Sequence, residues 1–72
     1  MRVKSFWVPK PPQGTVGMPI FFGILGEEFQ RKGKIARLEG RRALVELDVP
    51  MDWHELEETG IGFDKFYDTV DD

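Results

Sequence analysis

Hydrophobic and polar residues alternate with a period of two in the most regular part of the chain, residues 33–50. Over its second arm an extended strand would place Ala43, Val45, Leu47 and Val49 on one face and Leu44, Glu46 and Asp48 on the other. A turn at Glu39-Gly40 would join the two arms, since glycine accepts a positive φ. A helix over the same residues would carry Gly40 and Arg42 in its apolar stripe. The pattern therefore favours a β-hairpin over a helix.

The beginning of the chain also has the character of a strand. Residues 2–8 are rich in β-favouring side chains, and Pro9 ends the run. Three of the four residues 9–12 are prolines, which lack the N–H that a central strand needs. We expect a strand over 2–8, followed by an extended connector.

Residues 18–29 allow two interpretations. The apolar run Ile20–Leu25 is as long as a buried strand and is punctuated by glycine. Pro19 could instead begin a helix whose apolar face is Phe22, Leu25 and Phe29. The glycines favour the strand.

Two further elements are predicted after the hairpin. Asp52 can cap a short helix or 3₁₀ turn over residues 52–59, with Glu55 completing a capping box and Gly60 at its end. At the C-terminus the apolar residues follow a helical spacing, at Phe63, Phe66, Tyr67 and Val70. A strand over 61–67 competes with that short C-terminal helix.

Together these elements predict a mostly β fold in a single small domain over residues 1–72. The order of the elements resembles the SH3-like small barrels of about five strands, and GKIARLEGRRALVEL resembles the hairpin of KOW-type modules. About half of the chain also resembles a small SH3-like accessory subunit of photosynthetic NDH complexes, in G-x-I, G-x-x-A-L-V, V-P, W and L-E. The resemblance implies a fold and no activity.

Composition narrows the classes of function. The chain has no cysteine, which removes disulfides, thiolate metal sites and cysteine nucleophiles. No apolar run is long enough to cross a bilayer, so we expect a cytoplasmic protein without membrane insertion. The net charge of −3 hides a division, because residues 1–42 hold nine Lys and Arg against three Glu, whereas residues 43–72 hold ten carboxylates against Lys65. Such a division suggests either that the two halves face each other or that each sign serves a different partner.

No group of residues predicts catalysis. His54 and Glu58 are one helical turn apart, but one histidine among flexible carboxylates makes a weak metal site. Ser5 is the only serine and lies far in sequence from His54, and no glycine-rich phosphate loop is present. We therefore predict no enzyme, no cofactor and no metal.

Two binding functions remain. The first is a non-enzymatic protein-protein interaction module, an accessory or regulatory subunit of a larger complex that could also form a homodimer. Its apolar anchors are predicted to be Trp7, Phe21 and Phe22, with Trp7 or Phe21 exposed. The charges that orient the partner are predicted to be Arg41, Arg42, Glu57, Glu58 and Asp64. The second is an RNA- or DNA-binding hairpin that uses Lys34, Arg37, Arg41 and Arg42, against which the acidic half of the chain counts.

Overall fold

The computed structural model of the chain describes residues 1–23 and 30–70. These residues form five antiparallel strands and one short helix. In chain order the elements are β1 (Arg2–Pro9), β2 (Pro19–Gly23), β3 (Gln30–Glu39), β4 (Arg42–Asp52), α1 (Trp53–Glu58) and β5 (Lys65–Val70). The strands lie in the order β2-β3-β4-β1-β5. Within the described residues the sheet is not closed, so the predicted barrel is not confirmed, whereas the mostly β fold is.

The predicted hairpin is confirmed as β3 and β4, which pair in antiparallel register from Gly33–Leu47 to Glu39–Arg42. Its turn is Gly40-Arg41, one residue later than the sequence suggested. Gly40 has a φ of 59°, and no residue other than glycine has a positive φ in the described part of the chain. A positive φ at the first of two central residues is the signature of a type II′ turn, whose twist matches that of the strands.

A β-bulge at Ala36 decides which side chains of β3 face the core. Ile35 lies opposite Val45 and Arg37 lies opposite Leu44, so β3 has one residue more than β4 at this point. Two residues of a regular strand that are two positions apart share a face. Here Ile35 and Arg37 instead point to opposite faces, because their partners Val45 and Leu44 are successive residues of β4.

The core lies on one face of the sheet beneath α1. Its buried side chains come from three strands and the helix: Val3, Phe6, Val8, Ile35, Ala43, Val45, Leu47, Met51 and Leu56. Asp52 caps α1 as predicted, because its side chain accepts a hydrogen bond of 2.9 Å from the His54 N–H. Gly60, with a φ of 74°, follows the C-cap Thr59. Trp53 and Leu56 both pack toward the core, also as predicted.

The structure corrects two sequence predictions at the end of β4 and beyond. Val49 does not share the buried face of Val45 and Leu47 but is 71% exposed. The reason is an irregularity: four residues separate Glu46 from Met51 on β4, opposite the single residue Lys4 on β1. The predicted C-terminal helix over 63–70 is also wrong, because Lys65–Val70 is strand β5 on the outer side of β1.

Eight residues make a marginal helix by themselves, and pairing with the free side of β1 satisfies the same backbone groups. The Asp64 N–H begins this pairing with a 2.8 Å hydrogen bond to the Trp7 carbonyl oxygen. The strand interpretation of residues 18–23 is confirmed as β2, whereas Ile24, Leu25 and Phe29 lie outside the described residues.

Candidate functional site: an aromatic and arginine cluster on the outer face

The face of the sheet opposite the core carries a second group of packed side chains. Trp7 and Arg37 are both register partners of Leu44, from the strands on either side of it. Partners in an antiparallel pair point to the same face, so these three side chains lie together. Tyr67 and Arg42 complete the group, which we call the outer-face cluster: Trp7, Arg37, Arg42, Leu44 and Tyr67.

Trp7 lies at the centre of the outer-face cluster. The guanidinium carbon of Arg42 is 4.9 Å from the centre of the indole ring and that of Arg37 is 5.4 Å away. The Tyr67 ring meets the indole edge to face, with centroids 6.0 Å apart and an interplanar angle of 88°. Both geometries are attractive, since the face of an aromatic ring is electron-rich and its edge is electron-poor. Trp7 is only 3% exposed as a result.

The two arginines differ in their ion pairs. Arg37 Nη2 lies 3.0 Å from Glu39 Oε2, and this hydrogen bond and charge raise the pKa of the guanidinium above its already high ordinary value. Arg37 also lies over the Tyr67 ring at 5.6 Å. Arg42 has no carboxylate within ion-pair distance among the described residues. Arg42 is therefore a cation that is held on Trp7 without a neutralising carboxylate, on the same face of the sheet as Tyr67, which is 55% exposed.

The residues of the predicted protein-binding set do not form one surface. Phe21 lies on β2 and Asp64 precedes β5, which are opposite edges of the sheet. Phe22 is half-buried and packs edge to face on Phe6 in the core, with centroids 6.2 Å apart. Glu57 and Glu58 are exposed on α1, and Arg41 is exposed in the β3–β4 turn.

The predicted exposure of Trp7 is wrong, whereas Phe21 is exposed as expected, at 60%. Sequence reasoning missed Tyr67 and Leu44 as members of a site. The alternation of β4 places Leu44 on the face opposite the core, and a large apolar residue on that face is the sequence signal for a second cluster. The helical interpretation of the C-terminus puts Tyr67 on the same apolar stripe as Phe66, and so it does not predict that Tyr67 lies on the outer face.

The nucleic-acid set is partly neutralised. Arg37 binds Glu39, and the neighbouring Lys32 lies 4.0 Å from Asp48. Lys34 faces Glu46 in register but, like Arg41 and Arg42, has no carboxylate within ion-pair distance among the described residues. Of the four predicted cations, these two at the hairpin end are the best placed for an external anion.

His54 belongs to a helix cap. Its Nδ1 lies 3.1 Å from Asp52 Oδ1, and both side chains are well exposed. The residues that the structure describes contain no group of three or more histidine, aspartate or glutamate side chains arranged around a metal position. None of the described helices is long and apolar enough to cross a membrane.

Comparisons of the chain with protein families, with characterised proteins and with solved structures find no match. The site is therefore assigned from its own chemistry.

Proposed function

We propose that the protein is a non-enzymatic interaction module, an accessory or regulatory subunit that docks on a larger protein through the outer-face cluster. One observation supports this most directly: tryptophan, tyrosine and arginine, the residues most enriched at interface hot spots, meet on a sheet face that the core does not use. Most antiparallel sheets with one buried face carry isolated polar side chains on the other.

The proposed docking surface consists of a buried base and two groups above it. Trp7 and Leu44 form a buried base that fixes the positions of the groups above them. Tyr67 offers an exposed ring with a hydroxyl group at its tip, and Arg42 offers an unneutralised guanidinium. The complementary surface on a partner is an apolar patch beside a carboxylate, which the planar guanidinium can bind with two parallel hydrogen bonds.

Affinity purification of the untagged chain's complexes from its native host tests the proposal. The test variant is Tyr67→Ala with Arg42→Ala, because truncation of a hot-spot residue costs about 2 kcal/mol or more, which is about 30-fold in affinity. We expect the partner to be lost or strongly depleted, with an unchanged circular dichroism spectrum. The matched control, Glu57→Ala with Glu58→Ala, removes two exposed side chains from α1 and should retain the partner.

Equal recovery of every partner by the folded test variant and by wild type would overturn the proposal. Trp7→Ala is unsuitable for this purpose, because Trp7 is buried and its removal would change the fold and the surface together.

A second candidate function is binding of RNA or single-stranded DNA. The observation that favours it is the pair of cations Arg41 and Arg42 at the hairpin end, with Arg42 over Trp7 on the face that carries the exposed Tyr67; the arginines would bind phosphates while a base stacks on the tyrosine. It predicts an affinity that falls steeply with salt and that Arg41→Glu with Arg42→Glu abolishes. Fluorescence anisotropy with a labelled oligonucleotide measures both effects, and no binding at low salt would exclude this function.

A further inference from the structure

The two edges of the sheet are built differently. At one edge β5 pairs with β1 through two register shifts, and its exposed side chains include the charged Lys65 and Asp68. Irregular pairing and charge are two of the devices that keep an edge strand from pairing with another chain, and an outward-facing proline is a third. At the other edge β2 pairs with β3 without any shift, and its sequence, PIFFG, carries no charge. Of the two edges in the described part of the sheet, the β2 edge is therefore the more regular and the better suited to accept another strand.

Hydrogen bonds at the start of β2 fix the direction of its backbone groups. The Ile35 N–H donates to the Met18 carbonyl at 3.0 Å, and the Ile35 carbonyl accepts from the Gly17 N–H at 2.7 Å. Gly17 has a φ of 89°, as the first residue of a glycine bulge requires. Met18 is thus a position that bonds inward to β3, and inward and outward positions alternate from it along an antiparallel pair.

By this alternation Ile20 and Phe22 bond inward, whereas Pro19, Phe21 and Gly23 direct their backbone groups to the open edge. Pro19 fits its position, because an outward-facing residue needs no N–H for pairing with β3. At the centre of the strand, the N–H and the carbonyl of Phe21 are free of hydrogen bonds to the part of the chain that the structure describes. Its side chain is 60% exposed on the outer face, with the Lys32 ammonium 6.0 Å from the ring centre as its neighbour.

We propose that two copies of this chain pair antiparallel through β2, about a two-fold axis that passes through Phe21. In this register each Phe21 donates its N–H to the carbonyl of the other copy's Phe21. Each Gly23 N–H donates to the Pro19 carbonyl of the other copy. Because proline has no N–H, only the reciprocal hydrogen bond from Pro19 to the Gly23 carbonyl is missing. The two Phe21 rings become neighbours on the outer face and lose their exposure to water.

The register makes the strand self-complementary, which is why a second copy is the fitting occupant. An isologous contact needs the same surface on both sides, and the outward positions Pro19 and Gly23 lie two residues to either side of Phe21, so that each meets the other across the axis. The result is one continuous sheet in which the outer-face clusters of both copies lie on the same side. This assembly does not depend on the proposed function of that cluster.

Distance measurement in solution tests the pairing directly. The chain has no native cysteine, so a single Lys32→Cys substitution accepts one spin label per copy. Lys32 is the register partner of Phe21, and three strand spacings separate the two Lys32 positions of the dimer, an α-carbon distance of about 14 Å. We expect strong dipolar broadening from this label and none from Asp68→Cys on β5.

Light scattering after size exclusion gives the second measurement. Wild type should have twice the mass of one chain at high concentration, and Phe21→Pro should have the mass of one chain with the same circular dichroism spectrum. Proline at 21 removes the outward N–H but no bond to β3. Phe21→Glu, which places two carboxylates side by side on the axis, gives the same result if the proline variant fails to fold. Val49→Lys, a change at another exposed apolar residue, should leave the dimer intact.

A wild-type mass of one chain at millimolar concentration would overturn the proposal. So would a dimer that survives Phe21→Glu, or a short label distance from Asp68→Cys, which would place the interface at β5 instead.

Discussion

Replacement of Trp7 by alanine tests whether the outer face carries a packed cluster or a bare interface. Trp7 is 3% exposed and touches Tyr67, Arg37 and Arg42. A tryptophan buries about 150–250 Å², which at about 25 cal/mol per Å² corresponds to about 4–6 kcal/mol. Measured truncations of buried aromatic residues cost about 3–5 kcal/mol. We expect a loss in this range in the free energy of unfolding.

The loss is large relative to the whole domain. At about 0.05–0.15 kcal/mol per residue, 72 residues give a total stability of about 4–11 kcal/mol. For a domain of this size each kcal/mol shifts the Tm by about 4–8 °C, so Trp7→Ala should lower it by at least about 12 °C or leave the chain unfolded. Trp7→Phe, which keeps a ring under the two arginines, should recover part of the loss.

Urea denaturation followed by far-ultraviolet circular dichroism gives the free energies of the variants. The control is Val49→Ala, a truncation at a 71% exposed residue, which should change stability by no more than about 0.5 kcal/mol. If Trp7→Ala behaves like this control, the indole is not buried on the outer face and the proposed site loses its base.

Three further changes test the backbone and the helix cap by thermal or urea denaturation. Gly33→Ala should cost about 1–3 kcal/mol, because its Cβ would come within 2.8 Å of the Glu46 carbonyl oxygen; an unchanged Tm would contradict the close approach of β3 and β4. Gly40→Ala should cost about 1 kcal/mol at a φ of 59°, whereas Gly62→Ala, with open space around it and no positive φ, should be neutral. Asp52 accepts hydrogen bonds from the backbone and the side chain of His54, and these bonds hold the pKa of Asp52 below the ordinary value. The stability that Asp52 contributes is therefore present above its unfolded-state pKa and is lost as pH falls through its lower folded-state pKa. Asp52→Ala should remove this part of the pH dependence of the free energy of unfolding.

Much of the fold follows from local pattern. The hairpin of β3 and β4 has an intact period of two, and α1 has a capping residue, an inward-facing pair and a terminal glycine, all of which act within a few residues. The C-terminal strand did not follow, because the spacing of its aromatic residues fits a helix equally well. Only pairing with β1, a partner far away in the sequence, decides between the two.

The candidate site depended on features that a strict alternation cannot reveal. The extra residue at Ala36 reverses the faces of the residues after it, and the irregularity of β4 turns Val49 out to solvent. Tyr67 meets Trp7 only once β5 is known to be a strand. The arginines were recognised from sequence as candidate anion ligands, but their stacking on an indole required the register of three strands.

The single extra residue on β3 also bears on how this chain could change over time. Deletion of Ala36 would remove the bulge and make Ile35 and Arg37 successive residues of a regular strand, so Arg37 would stay on the outer face and Leu38 on the core face. The bulged position is consequently a place where this arm can lose one residue without moving a neighbouring side chain to the other face of the sheet, and a natural variant that is shorter by this residue would keep its guanidinium on the solvent side.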